Sequence, residues 1–338
     1  MAIVRKYGKP HLFVTYTATS SWTEINESMF SDQDQKERPD LVAGAFSQRL
    51  KELLDDLLKK DALGLIVAIV LVIEWQKRGL PHAHILLTLA GDDSLHTPSD
   101  VDKILSAQIP DKKKNPKLFE LVSKFMVHGP CGAANPNSPC MVKGKCSKGY
   151  PMPLQKYTTL NPDTGVCVYA RPSKEDGGNT MTIWCNERKE FITIDNQWIV
   201  PYNPVLLLKY QAHMNVERCN STKACKYVYK YIAKGPDRIM LELDNPDEIQ
   251  QFIDTQYTSA SQAEWELQGN PISIKVPDVI KLPCHLENEQ FVVFNEEDNI
   301  NEVIDRNSET MLTAAMKLFS NDPNASDLTY EDIPGYYR

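Results

Sequence analysis

Between Leu63 and Leu87 the chain offers two apolar runs separated by a short charged stretch, and this pairing restricts the fold more than anything else in the sequence. Leu63 to Ile73 is rich in Ile and Val, bounded by charge and too short to cross a bilayer, so it reads as a buried strand. A strand from Leu65 to about Gln76 and a turn through Arg78-Gly79 then lead into a second strand, Pro81-His82-Ala83-His84-Ile85-Leu86-Leu87. Alternate strand residues share a face, so His82 and His84 turn their imidazoles the same way. In an antiparallel hairpin with an odd-numbered loop, Glu74 and Gln76 lie opposite them on that face. Two imidazoles with Glu74 or Gln76 as a third ligand could hold a divalent ion and leave positions open for water or a phosphate oxygen. The same residues also fit the polar surface of a hairpin, and spacing alone does not separate the two readings.

Around this hairpin the sequence predicts an α+β fold. Lys9 to Thr17 alternates apolar and polar residues after a proline and reads as a strand. From Asp40 to Lys60, Val42, Phe46, Leu50, Leu53, Leu54, Leu57 and Leu58 share one helical face, which predicts an amphipathic helix packed on a sheet. Thr97 and Pro98 open a short helix as N-cap and first helical residue. Residues 160–195 read as strands joined by a variable insertion.

Between His128 and Cys146 lie one His and three Cys, namely His128, Cys131, Cys140 and Cys146, set among Gly, Pro, Asn and Lys. That is the number and type of ligands for a structural Zn²⁺, and a metal cross-link would order a segment with little apolar material of its own. No Cys-x-x-Cys knuckle is present, so unligated thiols are the alternative. Cys167, Cys185 and Cys284 read as packing residues, and Cys219 as a substitute ligand.

A further helix is predicted from a Ser221 cap to Lys234, stopped by Gly235-Pro236. Tyr227 and Tyr231 are four apart on one face, while Lys226, Lys230 and Lys234 form an adjacent basic stripe. Such a face fits a buried aromatic stripe with snorkelling lysines, or phenols that attack phosphorus once a cation activates them.

Length 338 and 42% hydrophobic residues allow roughly two domains with well-buried cores. Net charge is −8, but residues 241–338 carry 20 acids against 5 bases, leaving residues 1–240 near +7. A basic first part can hold phosphates beside an acidic tail. No apolar run is long enough for a membrane span and no signal peptide is legible, so an intracellular, nuclear protein is expected, with thiols free or metal-bound.

In their order along the chain, these features resemble the replication-initiator (Rep) part of Helitron transposases, the Helitron helicase-like N-terminal domain. It belongs to the His-hydrophobe-His (HUH) endonucleases of rolling-circle replication. The resemblance runs through Lys6-Tyr-Gly-Lys-Pro10, Phe13-Val-Thr-Tyr-Thr17, Glu74 to His84, and His128-Gly-Pro-Cys131. It continues through Ser138-Pro-Cys140, Gly144 to Lys148, Val200 to Pro204 and Tyr227 to Gly235. It implies a central antiparallel sheet with helices on one face, the histidine strand in the middle and the tyrosine helix beside it. It implies Mg²⁺ or Mn²⁺ at His82 and His84, catalytic Tyr227 and Tyr231, and nicking and strand transfer on single-stranded DNA at transposon ends through a 5′-phosphotyrosine. The lysine stripe would neutralise phosphates, and Tyr16 and Trp22 would stack on unpaired bases.

Ala18-Thr19-Ser20-Ser21-Trp22 departs from the family's Cys-Asn-Pro followed by Trp, and His11 stands where an acid is common. The expected organisation is residues 1–240 as the Rep-like domain with a Cys/His-rich insertion at 127–150, then an acidic connector at 241–338 that would precede a helicase. No Gly-x-x-x-x-Gly-Lys-Ser/Thr loop occurs, so the chain itself is not that ATPase. The chain reads as cut at both ends, which keeps open a truncated remnant that binds nucleic acid without cleaving it. A zinc-stabilised interaction module with core tyrosines is a third reading.

Overall fold

The computed structural model describes residues 2–34, 37–75, 80–93, 95–185, 189–219, 238–239, 255–256, 259–286, 289 and 309–337. They belong to two compact units, Met1–Pro277 and Asp278–Arg338. The first opens with helix α1 (Ala2–Tyr7), strand β1 (Leu12–Thr17), helix α2 (Thr23–Glu27) and the long helix α3 (Pro39–Lys59). The hairpin follows as β2 (Ile66–Trp75) and β3 (Pro81–Leu89), then α4 (Pro98–Ile104) and α5 (Pro116–Phe125). Three small hairpins come next: β4 (Met141–Val142) with β5 (Lys145–Cys146), β6 (Thr159–Leu160) with β7 (Cys167–Val168), and β8 (Met181–Cys185) with β9 (Glu190–Ile194). After α6 (Pro204–Tyr210) and β10 (Met214–Arg218), β11 (Arg238–Ile239) pairs with β12 (Thr255–Gln256). Helix α7 (Ala260–Leu267) and strand β13 (Ser273–Val276) complete the unit.

The central sheet has the order β10-β1-β3-β2-β13, with every neighbouring pair antiparallel. The histidine strand β3 is thus the third of five and is buried along its whole length. Strand β1 alternates as its sequence requires, with Leu12, Val14 and Tyr16 in the main core and Phe13, Thr15 and Thr17 on the other face. Helix α3 lays Val42, Phe46, Leu50, Leu53 and Leu57 against that core, the face its periodicity predicts. Trp265 of α7 packs on Phe46, ring centroids 5.8 Å apart.

Two expectations are corrected here. Helices lie on both sheet faces, because Ile3 of α1 packs with Ala68, Val70, Val72 and Leu86 on the histidine side. The compact unit also runs past residue 240 to Pro277, since β13 hydrogen-bonds to β2 with Ser273 opposite Val72 and Val276 opposite Ile69. A four-residue edge strand has too few residues to show a period in sequence.

A second core cluster joins Leu121, Val122 and Met126 to Met181, Ile194, Ile199, Tyr202 and Leu207. In the second unit, α8 (Met311–Asn321) is capped by Thr310, whose hydroxyl also meets His285 Nε2 at 2.8 Å, and α9 (Ile333–Tyr336) follows. Among the described residues no helix is long and apolar enough to cross a membrane.

Candidate metal centres and nucleic-acid interface

Cross-strand register builds the histidine site. Glu74 of β2 lies opposite His82 and Val72 lies opposite His84, so Glu74, His82 and His84 share one face, as the hairpin reading requires. Glu74 Oε2 sits 3.0 Å from His84 Nε2. The two side chains thus form a direct hydrogen bond or ion pair, and both are groups that could ligate a cation. His82 shares this face by register, without closing a three-ligand cluster with the pair among the described residues.

Strand β1 supplies what sequence reasoning missed. Thr17 lies opposite His82 and Thr15 opposite His84. Thr17 Oγ1 is 2.8 Å from His82 Nδ1, and Thr15 Oγ1 is 3.4 Å from His84 Nδ1. A hydroxyl that accepts from Nδ1–H leaves the Nε2 lone pair for a metal, so the threonines can select the tautomer that ligates. The signal was the spacing Thr15-x-Thr17, which matches His82-x-His84 across an antiparallel ladder. Phe13 stacks on His84 with centroids 5.8 Å apart and fixes its ring plane.

Both histidines are buried, and Glu74 is more open to solvent. Burial, then the neighbouring His84 and His213, lowers His82 to about 4, so its imidazole is neutral at physiological pH. Neutral imidazole is the form that binds metal. Burial lowers His213 as well, and its Nδ1 lies 2.7 Å from the Phe125 carbonyl. On the same face, Asn215 of β10 lies opposite Thr15 and donates to Glu217 at 3.1 Å, while its buried Oδ1 has no partner among the described residues.

The Cys/His group is brought together as its residue types anticipate: ligand atoms of His128, Cys131, Cys140 and Cys146 all lie within 4.8 Å of one another. His128 Nε2 is 3.4 Å from Cys146 Sγ, against about 3.6 Å for adjacent N and S ligands of tetrahedral zinc. The cluster could therefore hold a metal such as zinc. Positive φ at Lys143 and Gly144 makes the two-residue turn that joins β4 to β5 and swings Cys146 back towards Cys140. Tyr150 stacks on His128, centroids 4.1 Å apart. Burial and the adjacent Cys140 and Cys146 push the Cys131 thiol up to about 12. Burial also opposes ionisation of Cys146, but the backbone N–H groups of Tyr150 and Lys148 outweigh it and hold that thiol below its ordinary range.

Several sequence assignments change. Tyr16 and Trp22 are 0% and 3% exposed, on the core side of the sheet, and cannot stack on bases. The alternation of β1 turns Tyr16 inwards against Phe46 and Tyr210, while Trp22 donates to the Tyr210 carbonyl at 3.2 Å under the Arg49 guanidinium. Cys219 packs beside α1 rather than joining the Cys/His group, and Cys284 is exposed rather than packed. Gln76, Tyr227, Tyr231, Lys226, Lys230 and Lys234 lie outside the described residues.

Residues 1–87 match the family model described as the Helitron helicase-like domain at N-terminus. This stretch of the chain is therefore similar to a Helitron helicase-like N-terminal domain. The matched residues run from α1 through Leu87 and so include Thr15, Thr17, Glu74, His82 and His84. A Helitron-related role and interaction with nucleic acid fit this match. No curated protein matches the chain.

Proposed function

We propose that this chain is an HUH-type endonuclease and strand transferase that nicks single-stranded DNA in Helitron rolling-circle transposition. The observation that supports this most is the register placing Glu74, His82 and His84 on one face of the central hairpin, backed by the β1 threonines. Glu74, His82 and His84, with Gln76 as a further candidate, are the residues that would hold Mg²⁺ or Mn²⁺. When bound, the ion supplies Lewis-acid polarisation of the scissile phosphate.

The chain's own residues do the rest. Tyr227 or Tyr231, once deprotonated, attacks phosphorus; the new bond joins the phenolic oxygen to the 5′-phosphate, and the P–O3′ bond breaks. The departing 3′ oxygen takes a proton and becomes a free 3′-OH. The phosphotyrosine conserves the phosphoester, so the second tyrosine or a DNA 3′-OH can displace it without ATP. Lys226, Lys230 and Lys234 would counter phosphate charge along that helix. His128, Cys131, Cys140 and Cys146 would hold a structural Zn²⁺.

End-labelled single-stranded oligonucleotides incubated with the protein and Mn²⁺ test this. Cleavage is expected to leave an extendable 3′-OH on one product and a protein-blocked 5′ end on the other, and to disappear in His82→Ala/His84→Ala. Cleavage that persists in that variant, or products with free 5′-phosphates, would count against it.

A further inference from the structure

Residues 121–162 contain five lysines and no Asp or Glu, within a chain whose net charge is −8. Three of the five, Lys143, Lys145 and Lys148, surround Cys146 and are exposed, with no acidic partner among the described residues. Their placement follows from the local fold: the turn at Lys143-Gly144 puts Lys143 at the hairpin tip and Lys145 beside it, opposite the exposed Val142. Lysines near thiolates have an ordinary role in offsetting their charge. Here the arithmetic leaves a surplus, because a divalent ion with three thiolates and a neutral imidazole carries −1, against +3 from the lysines.

The module is also tethered to the histidine face. Thr17 N–H donates to the His213 carbonyl at 3.0 Å, and His213 Nδ1 meets the carbonyl of Phe125, three residues before His128. The Tyr150 ring on His128 has its phenol pushed up to about 12, by burial above all and with Glu217 of β10 adding to it. A strand lying over His82 and His84 therefore has the Cys/His module, with its cationic hairpin, attached on the β10 side.

The geometry points to a second nucleic-acid site: the β4–β5 hairpin, clamped by the Cys/His group, grips the phosphate backbone of single-stranded DNA through Lys143, Lys145 and Lys148. The occupant is a nucleic acid rather than a lipid surface because the module that carries the cationic tip is tethered, through Phe125 and His213, to the face on which the phosphodiester site is proposed. The assignment rests on that proposal only for the choice of partner. Grip and cutting are separate properties.

The test is binding of a fluorescent oligo-dT to the zinc-loaded full chain, by anisotropy, without Mg²⁺ or Mn²⁺ and across a salt series. Replacing all three lysines by alanine is expected to weaken binding on the order of 100-fold at 0.1 M salt, and to lower the log–log salt slope by about 2, at ~0.7 per single-strand phosphate contact. Replacing them by arginine should keep both, and because no ion for cleavage is present the binding is read whether or not the chain ever cuts. Zinc content measured on every variant confirms that the module stays folded. An unchanged slope in the alanine variant, no oligonucleotide binding by the unmutated chain, or lysine-dependent binding to phosphatidylserine vesicles but not to oligo-dT would overturn the assignment.

Discussion

Threonine 17 shows how much one hydroxyl can determine. Held 2.8 Å from Nδ1 of the buried His82, it can select which ring nitrogen would be left for a metal. Thr17→Val, which keeps the shape and removes the hydroxyl, should weaken Mn²⁺ binding about 10- to 100-fold by calorimetry, with the fold intact by circular dichroism. A second residue, Asp56, is buried and accepts from Lys209 Nζ and Tyr210 Oη, both at 2.6 Å, and from Lys60 Nζ at 2.8 Å. Burial alone would raise its carboxyl; the lysine and tyrosine hydrogen bonds outweigh burial and hold it well below the usual carboxylate range. Its contribution is therefore present above the unfolded value near ~3.9 and fades as the pH falls below it. Urea midpoints should drop between pH 5 and pH 3, and Asp56→Asn should cost about 2 kcal/mol at pH 7 while flattening that drop. The histidine pair was legible because strand alternation acts on neighbouring residues. The threonines that support it were not, since their role depends on a pairing 65 residues away in the chain.

Among the elements, α3 and the β2–β3 hairpin were the most readable, for the same physical reason. Each repeats its apolar period over many residues, so one side must be buried whatever the neighbours are. Phe46 marks the centre of the α3 face, with Tyr16, Trp22 and Trp265 rings against it at 5.4, 6.4 and 5.8 Å. Phe46→Ala should destabilise the first unit by roughly 3–5 kcal/mol in urea unfolding. Tyr16 and Trp22 were misread because an aromatic in a strand or loop looks the same whether it meets DNA or a core. Only the partners on α3 and α6 decide, and those contacts are long-range. The Cys/His loop was readable by ligand type. It should carry close to one zinc per chain by elemental analysis, and Cys140→Ser should lose that metal and the ordered proton resonances of the loop.

At the scale of the whole molecule, the sheet combines distant stretches: β10 and β13 form its two edges, from residues near 215 and 275. Neither edge was visible as a strand in the sequence, because short edge strands take their order from the neighbour they pair with. The consequence for function is that both edges frame the face carrying Glu74, His82 and His84, and the Cys/His module adjoins the β10 side. Whether a tyrosine nucleophile serves this face is tested most directly by a covalent adduct assay. With Mn²⁺ and a labelled single-stranded oligonucleotide pool, the unmutated chain should form a denaturation-resistant protein–DNA adduct. Tyr227→Phe and Tyr231→Phe should each reduce or redirect the adduct, and the double variant should abolish it. No adduct from the unmutated chain across the pool, or an undiminished adduct in the double variant, would contradict the account.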